Sequence, residues 1–112
     1  MRRPREYLGQ LELMVLLAVV RPNGEAYGVQ ISKCIEDASG REVSLASVYV
    51  ALDRLERKGL ITSSLGETTP QRGGRARTYF KPTASGLKEA RVACSTLNRL
   101  SGGLAAGKGA FA

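Results

Sequence analysis

The chain has 112 residues, a formal net charge of +7, an apolar fraction of 43%, two cysteines and no histidine. This length suggests one domain, and the apolar fraction is typical of a folded protein rather than a disordered one. Two cysteines are too few for a disulfide scaffold, and the lack of histidine removes the commonest general base and metal ligand. The longest apolar run, residues 13–20, is too short to cross a bilayer, whereas the basic balance favours a polyanion as partner.

Three helices are predicted in the first half of the chain, over about residues 7–20, 27–38 and 45–58, because apolar residues recur there at helical spacing. Pro22 stops the first helix, and Gly40 suits the left-handed position that ends the second. Ser44 is a good N-cap for the third helix, and Gly59 ends it.

The apolar spacing then changes. Residues 60–65 and 77–81 favour short strands, and the Gly-Gly loop between them predicts a long hairpin. Thr83 is suited to cap a last helix, over about residues 84–100. The order of helix, helix, helix, strand, strand, helix is that of a mainly α (α+β) winged helix-turn-helix fold with a two-stranded β-wing.

The third helix carries the clearest functional pattern. Its core-facing stripe is predicted to be Leu45, Val48, Leu52 and Leu55. The opposite face then carries Ala46, Ser47, Val50, Asp53, Arg54 and Arg57, with Tyr49 on one flank. Small side chains allow close approach to base edges and arginines reach guanines or phosphates, so this face is expected to enter the major groove of DNA. The alternative is a helix packed on both faces inside one chain.

The hairpin loop is basic. Between residues 67 and 81 the basic residues are Arg72, Arg75, Arg77 and Lys81, against one acid, Glu67. Because Gly73 and Gly74 let the backbone approach a surface closely, the loop fits contact with phosphates or insertion into the minor groove. Charged hairpin tips are also common on ordinary surfaces.

The N-terminal arginines are either an arm on the DNA backbone or a solubilising tail; they are Arg2, Arg3 and Arg5.

The last helix has an apolar stripe that one small domain is not expected to cover, formed by Leu87, Ala90, Cys94 and Leu97. Together with the apolar first helix, this stripe predicts a homodimer seam, and packing of the last helix on its own domain is the alternative.

Cys34 and Cys94 fall on apolar faces and are expected to be buried small hydrophobes rather than a redox pair. The expected organisation is a winged domain (1–82), a dimerisation helix (83–100) and a flexible Gly/Ala tail (101–112).

Several stretches resemble the PadR-type transcription regulators. They are LGQLE at residues 8–12, AYGVQI at 26–31, SLASVYVALDRLERKGLI at 44–61, RGGRARTYF at 72–80 and TASG at 83–86. These stretches span most of residues 8–90. The helix-three run followed in order by the Gly-Gly-Arg wing makes the resemblance quite specific.

The resemblance implies a dimeric winged-helix repressor whose third helix reads the major groove and whose wing reaches the adjacent backbone or minor groove. It implies helix-three contacts by Ser44, Ser47, Tyr49 and Arg54, to which the exposed face adds Val50. It implies wing contacts by Arg72, Gly73, Gly74, Arg75 and Arg77, and dimerisation through the C-terminal helix. The resemblance also leaves open a small-molecule effector at the dimer interface. Some relatives bind planar aromatic or hydrophobic effectors there with aromatic side chains, although the last helix here has no aromatic residue.

The expected function is therefore sequence-specific binding of a homodimer to a (pseudo)palindromic operator in duplex DNA, in the cytoplasm at the nucleoid. A protein-interaction module, with the basic wing against an acidic partner, is the alternative. An enzyme is not expected, because no catalytic constellation stands out and Asp53 with Arg57 fits a surface ion pair. No cofactor and no metal are predicted.

Overall fold

The computed structural model describes residues 8–21, 26–66 and 77–104. Its elements in chain order are helix α1 (Gln10–Val20), strand β1 (Ala26–Tyr27), helix α2 (Gly28–Ser39), helix α3 (Leu45–Arg57), strand β2 (Ile61–Leu65), strand β3 (Thr78–Pro82) and helix α4 (Ala84–Ser101). This order confirms the α+β winged helix-turn-helix architecture. Within the described ranges, no helix combines the length and the apolar character needed to span a membrane.

A short strand that the sequence does not predict joins the wing to the helices. The sheet has the antiparallel order β1-β3-β2, in which Ala26 pairs with Phe80 and Tyr27 with Tyr79. Two residues are too few for an alternating pattern, so β1 is recognisable only from its pairing. Because β1 runs directly into α2, it ties the start of that helix to the wing.

The hydrophobic core lies where α1 meets α2 and α3, and it is closed by the sheet and by α4. Its largest fully buried side chains are Val15, Leu16, Val19, Ile31, Val48, Leu52, Leu55 and Ile61. Helix α1 contacts α2, α3, α4 and β3, which explains why apolar residues occur on more than one side of it.

Two burial predictions are wrong. Leu45 is 40% exposed, because it is the first residue of α3 and the buried stripe begins one turn later at Val48. Ala51 joins the core in its place. Cys94 is exposed, since it lies in the half of α4 that extends past the core, and Cys34 is only half-buried.

Thr83 fastens α4 to the end of α3. Its Oγ1 accepts a hydrogen bond from the Gly86 N–H at 3.0 Å, and its hydroxyl donates to the carbonyl oxygen of Gly59 at 2.7 Å. The expected N-cap is therefore present, and it also links two elements that are distant in the chain.

We expect Thr83→Ala to lower the free energy of unfolding by about 1.5 kcal/mol, because it removes a cap and leaves the Gly59 carbonyl without its donor. A fall in the urea midpoint at unchanged m-value measures this loss. Thr83→Ser keeps both hydrogen bonds and is the control. A serine variant as unstable as the alanine variant would contradict the role of the hydroxyl.

Candidate nucleic-acid interface

Side-chain hydrogen bonds fix the link between α2 and α3. Helix α2 is capped by Gly40, whose φ of 72° is the predicted left-handed conformation. The Val43 N–H then donates to Glu36 Oε2 at 3.2 Å, and Ser32 Oγ donates to the Val43 carbonyl oxygen at 3.3 Å. Because both bonds return to α2, they set the position at which α3 begins.

Two predicted contact residues form the N-terminal cap of α3. Ser44 Oγ accepts a hydrogen bond from the Ser47 N–H at 3.0 Å, which confirms Ser44 as the N-cap. The Ser44 hydroxyl also donates to Ser47 Oγ at 2.7 Å. In this arrangement the Ser47 hydroxyl keeps its own hydrogen for an outside acceptor.

The outer face of α3 is open to solvent, while Val48, Leu52 and Leu55 seal its inner face against the core. The structure places four of the predicted contacts on exposed positions of this outer face: Ser44, Ser47, Val50 and Arg54. Val50 is 52% exposed although it is apolar. The face is therefore small and partly apolar near its start and basic one turn further on.

Tyr49 lies on the flank of this face and packs on the first residue of α2. A Cβ placed at Gly28 would overlap the hydroxyl and ring of Tyr49 and lie 3.0 Å from its Cε2. The missing side chain at Gly28 thus makes room for the tyrosine, which stays 45% exposed. Sequence reasoning missed Gly28, and the only signal was a glycine at the start of a helix.

At the base of the wing, Arg77 is held by aromatic residues. Its guanidinium carbon lies 3.9 Å from the centroid of the Tyr27 ring, and Tyr27 and Tyr79 meet edge to face at 5.9 Å. The Gly66 N–H donates to the Arg77 carbonyl oxygen at 2.7 Å and closes the hairpin ladder. Because Tyr27 precedes α2, Arg77 is tied to the helix-turn-helix unit.

The other predicted wing contacts lie outside the described residues and stay predictions. They are Arg72, Gly73, Gly74 and Arg75. The N-terminal basic residues also lie outside them: Arg2, Arg3 and Arg5.

Arg54 is accompanied by an acid that sequence reasoning did not assign to the interface. Its Nη1 lies 3.8 Å from Oε2 of Glu12 on α1, and Lys58 Nζ lies 2.6 Å from Oε1 of the same carboxylate. The only sequence signal for Glu12 was that an acid interrupts an otherwise apolar stretch.

The predicted ion pair of Asp53 and Arg57 is present, with an N–O distance of 3.0 Å and both side chains largely exposed.

The predicted dimerisation stripe divides along α4. Leu87 is half-buried, and Ala90 belongs to the core of its own chain. Cys94 and Leu97 are exposed. Leu100 continues the exposed apolar side at 78% exposure, and Leu104, which is 53% exposed, lies just past the end of α4. Of the four residues of the predicted stripe, the two that are exposed, Cys94 and Leu97, both lie in the C-terminal half of α4.

Comparison with known proteins gives a family match. The model of the transcriptional regulator PadR-like family matches residues 16–92. A comparison with curated proteins found no match.

Solved structures share the fold. A transcriptional regulator from Clostridium thermocellum is 27% identical with a TM-score of 0.67, covering 84% of this chain and 85% of its own. A PadR family transcriptional regulator from Eggerthella lenta is 25% identical with a TM-score of 0.66, covering 87% and 82%. A PadR-like transcriptional regulator from Bacillus cereus is 24% identical with a TM-score of 0.69, covering 84% and 86%.

Proposed function

This chain belongs to the PadR-like family of transcriptional regulators, and on that premise we propose that it represses transcription by binding an inverted-repeat DNA site as a homodimer. The observation that carries the proposal is the outer face of α3. This face is exposed, free of bulky charged groups at its start, and anchored from behind by a buried stripe.

The chemistry of the face suits the edges of base pairs in the major groove. The Ser47 hydroxyl donates to base acceptors, the methyl groups of Val50 fit the methyl group of thymine, and Arg54 reaches guanine or a phosphate. Small side chains around them allow the helix backbone to come close to the bases. These three residues are proposed to read sequence.

Basic residues around the face are proposed to hold the DNA backbone. Arg77 is presented at the base of the wing, and Arg72 and Arg75 precede it in the chain. The basic N-terminal residues precede Gly9 in the sequence, and Gly9 lines a groove together with Ser47 and Val50. This placement favours the interpretation of that segment as an arm on the backbone.

The exposed apolar side of α4 supports the homodimer. Leu97 and Leu100 are neighbours on α4 and Leu104 lies just past its end, and an exposed apolar patch of this kind left in water is a liability. A second copy related by a two-fold axis would cover it and present a second reading helix. An inverted-repeat operator follows from this symmetry. In this proposal residues 1–82 read DNA and residues 83–100 join the two copies.

The proposal is tested by selecting bound sequences from a randomised duplex library and then measuring affinity across a salt series. We expect an inverted-repeat consensus bound at least roughly a thousandfold more tightly than a scrambled duplex at near-physiological salt. Ser47→Ala should change the selected sequence. Arg77→Ala should weaken binding to all sequences and lower the salt slope by about one.

Arg91→Ala is the matched control, because Arg91 is an exposed arginine of α4 outside the proposed DNA interface. Binding that is equal for all sequences and vanishes with salt would contradict the proposal. That result would leave a basic protein-interaction module as the better description. The fragment upstream of the chain's own gene is the first natural duplex to assay.

A further inference from the structure

We infer that Glu12 on α1 determines DNA specificity by holding the side chain of Arg54, on α3, in one orientation. This inference rests on the proposed function and adds a residue that is not expected to touch the DNA bases itself. Glu12 is therefore a positioning residue, acting through the arginine beside it.

The geometry places the carboxylate of Glu12 between two cations, Arg54 on the last turn of α3 and Lys58 directly after it. Oε1 of Glu12 is engaged by Lys58 Nζ at 2.6 Å, which leaves Oε2 directed to Arg54 Nη1 at 3.8 Å. The Glu12 side chain is only 13% exposed, whereas that of Arg54 is 63% exposed. The carboxylate is thus held in place, and the arginine is steered towards it without being buried.

Helix α1 gives the carboxylate a fixed support. Val15, Leu16 and Val19 on the same helix are fully buried, so α1 cannot turn without disrupting the core. Glu12 also lies in the first turn of α1, where the helix dipole favours a negative charge. A group held on a buried helix defines a neighbouring side chain's direction better than a group on a loop does.

The groove between α1 and α3 shows where this pair acts. It has a volume of about 500 Å³, and Glu12 and Arg54 line it together with Ser47 and Val50. An arginine has five N–H donors in a planar fork, so one edge can face Glu12 while the other faces a base. Without the carboxylate, the same long side chain is free to swing to the nearest phosphate, which carries no sequence information.

Glu12 also works against indiscriminate binding. Its negative charge lies beside the proposed DNA surface, where it repels phosphates, and it occupies Lys58, which would otherwise pair with them. Removing the charge should therefore strengthen binding to non-specific sequences, while the affinity for the right sequence does not rise and the preference for it declines. A residue with only a structural role would weaken both kinds of binding together.

The test measures the affinity of Glu12→Gln for the selected consensus duplex and for a scrambled duplex of the same composition, over a salt series. We expect the ratio of the two affinities to fall about tenfold, within the discrimination of a good bidentate base contact. Affinity for the scrambled duplex should rise severalfold with a steeper salt dependence. Glu12→Asp keeps the charge and should retain most of the ratio. Thermal unfolding should change little in both variants.

Asp37→Asn is the matched control, because it removes the same charge from an exposed residue of α2 that lies outside the proposed reading face. It should strengthen non-specific binding without lowering the ratio. In an Arg54→Gln background, Glu12→Gln should no longer change the ratio. An unchanged ratio in Glu12→Gln, an equal fall in Asp37→Asn, or an undiminished effect without Arg54 would each overturn the inference. A parent protein that does not distinguish the two duplexes would instead refute the proposed function.

Discussion

Gly86→Ala is expected to lower the free energy of unfolding by about 3 kcal/mol, at the upper end of the cost of overpacking a core. A Cβ at this position would overlap the carbonyl oxygen of Leu60 and lie 2.9 Å from its carbonyl carbon. The backbone of Leu60 cannot rotate away from the new methyl group as a side chain could. The Thr83 N–H donates to the same Leu60 oxygen at 3.0 Å, so helix α4 is bonded to the segment against which the new methyl group would press.

The loss should appear as a fall of roughly 15 °C in Tm for a domain of this size, measured at fixed protein concentration. Gly9→Ala is a matched control, because Gly9 is exposed, has a φ of −64° and would place its Cβ 3.9 Å from the nearest atom. It should cost less than about 1 kcal/mol. If both variants unfold at the parent temperature, α4 does not approach Leu60 as closely as the structure shows.

Leu97→Glu is expected to separate the proposed homodimer into monomers and to weaken binding to an inverted-repeat duplex by roughly a hundredfold or more. In a two-fold dimer each substitution occurs twice, so two like charges enter the apolar seam. Leu97 is 53% exposed in the single chain and makes no part of its core. The main effect should therefore fall on association, which sedimentation velocity measures alongside the affinity.

Asn98→Glu introduces the same acidic side chain at the next exposed position of α4, about 100° further round the helix. It should remain a dimer and bind DNA nearly as the parent does. A Leu97→Glu protein that stays dimeric with parental affinity would show that the seam lies elsewhere. A monomeric variant that still binds with parental affinity would instead separate DNA binding from dimerisation.

Much of the fold was open to prediction because its causes are local. The helical stripe through Val48, Leu52 and Leu55 repeats within four residues, and the caps at Ser44 and Thr83 bond to groups three residues away. Leu45 fits the same stripe by spacing and is nevertheless exposed, because periodicity assigns a face but does not say how far along the helix the neighbours extend.

The candidate site was predictable to the same extent. Once the inner face of α3 was assigned, geometry alone put Ser47, Val50 and Arg54 on the outer face, where the structure has them. Their role in reading DNA stays a proposal. The division of the α4 stripe was not predictable. The stripe from Leu87 to Leu97 keeps helical spacing throughout, both before and after Ala90, where the core ends.

The order of residues is enough to specify this chain's helices, its hairpin, its caps and the outward face of α3, since each follows from propensities and periodicities within a few residues. Only the tertiary structure decides the pairing of β1 with β3, the close approach of Gly86 to Leu60, and the position of Glu12 between Arg54 and Lys58. These contacts join residues that lie far apart in the chain, 46 positions in the case of Glu12 and Lys58. Their distances depend on how all the elements pack together, and a local sequence pattern does not predict that packing.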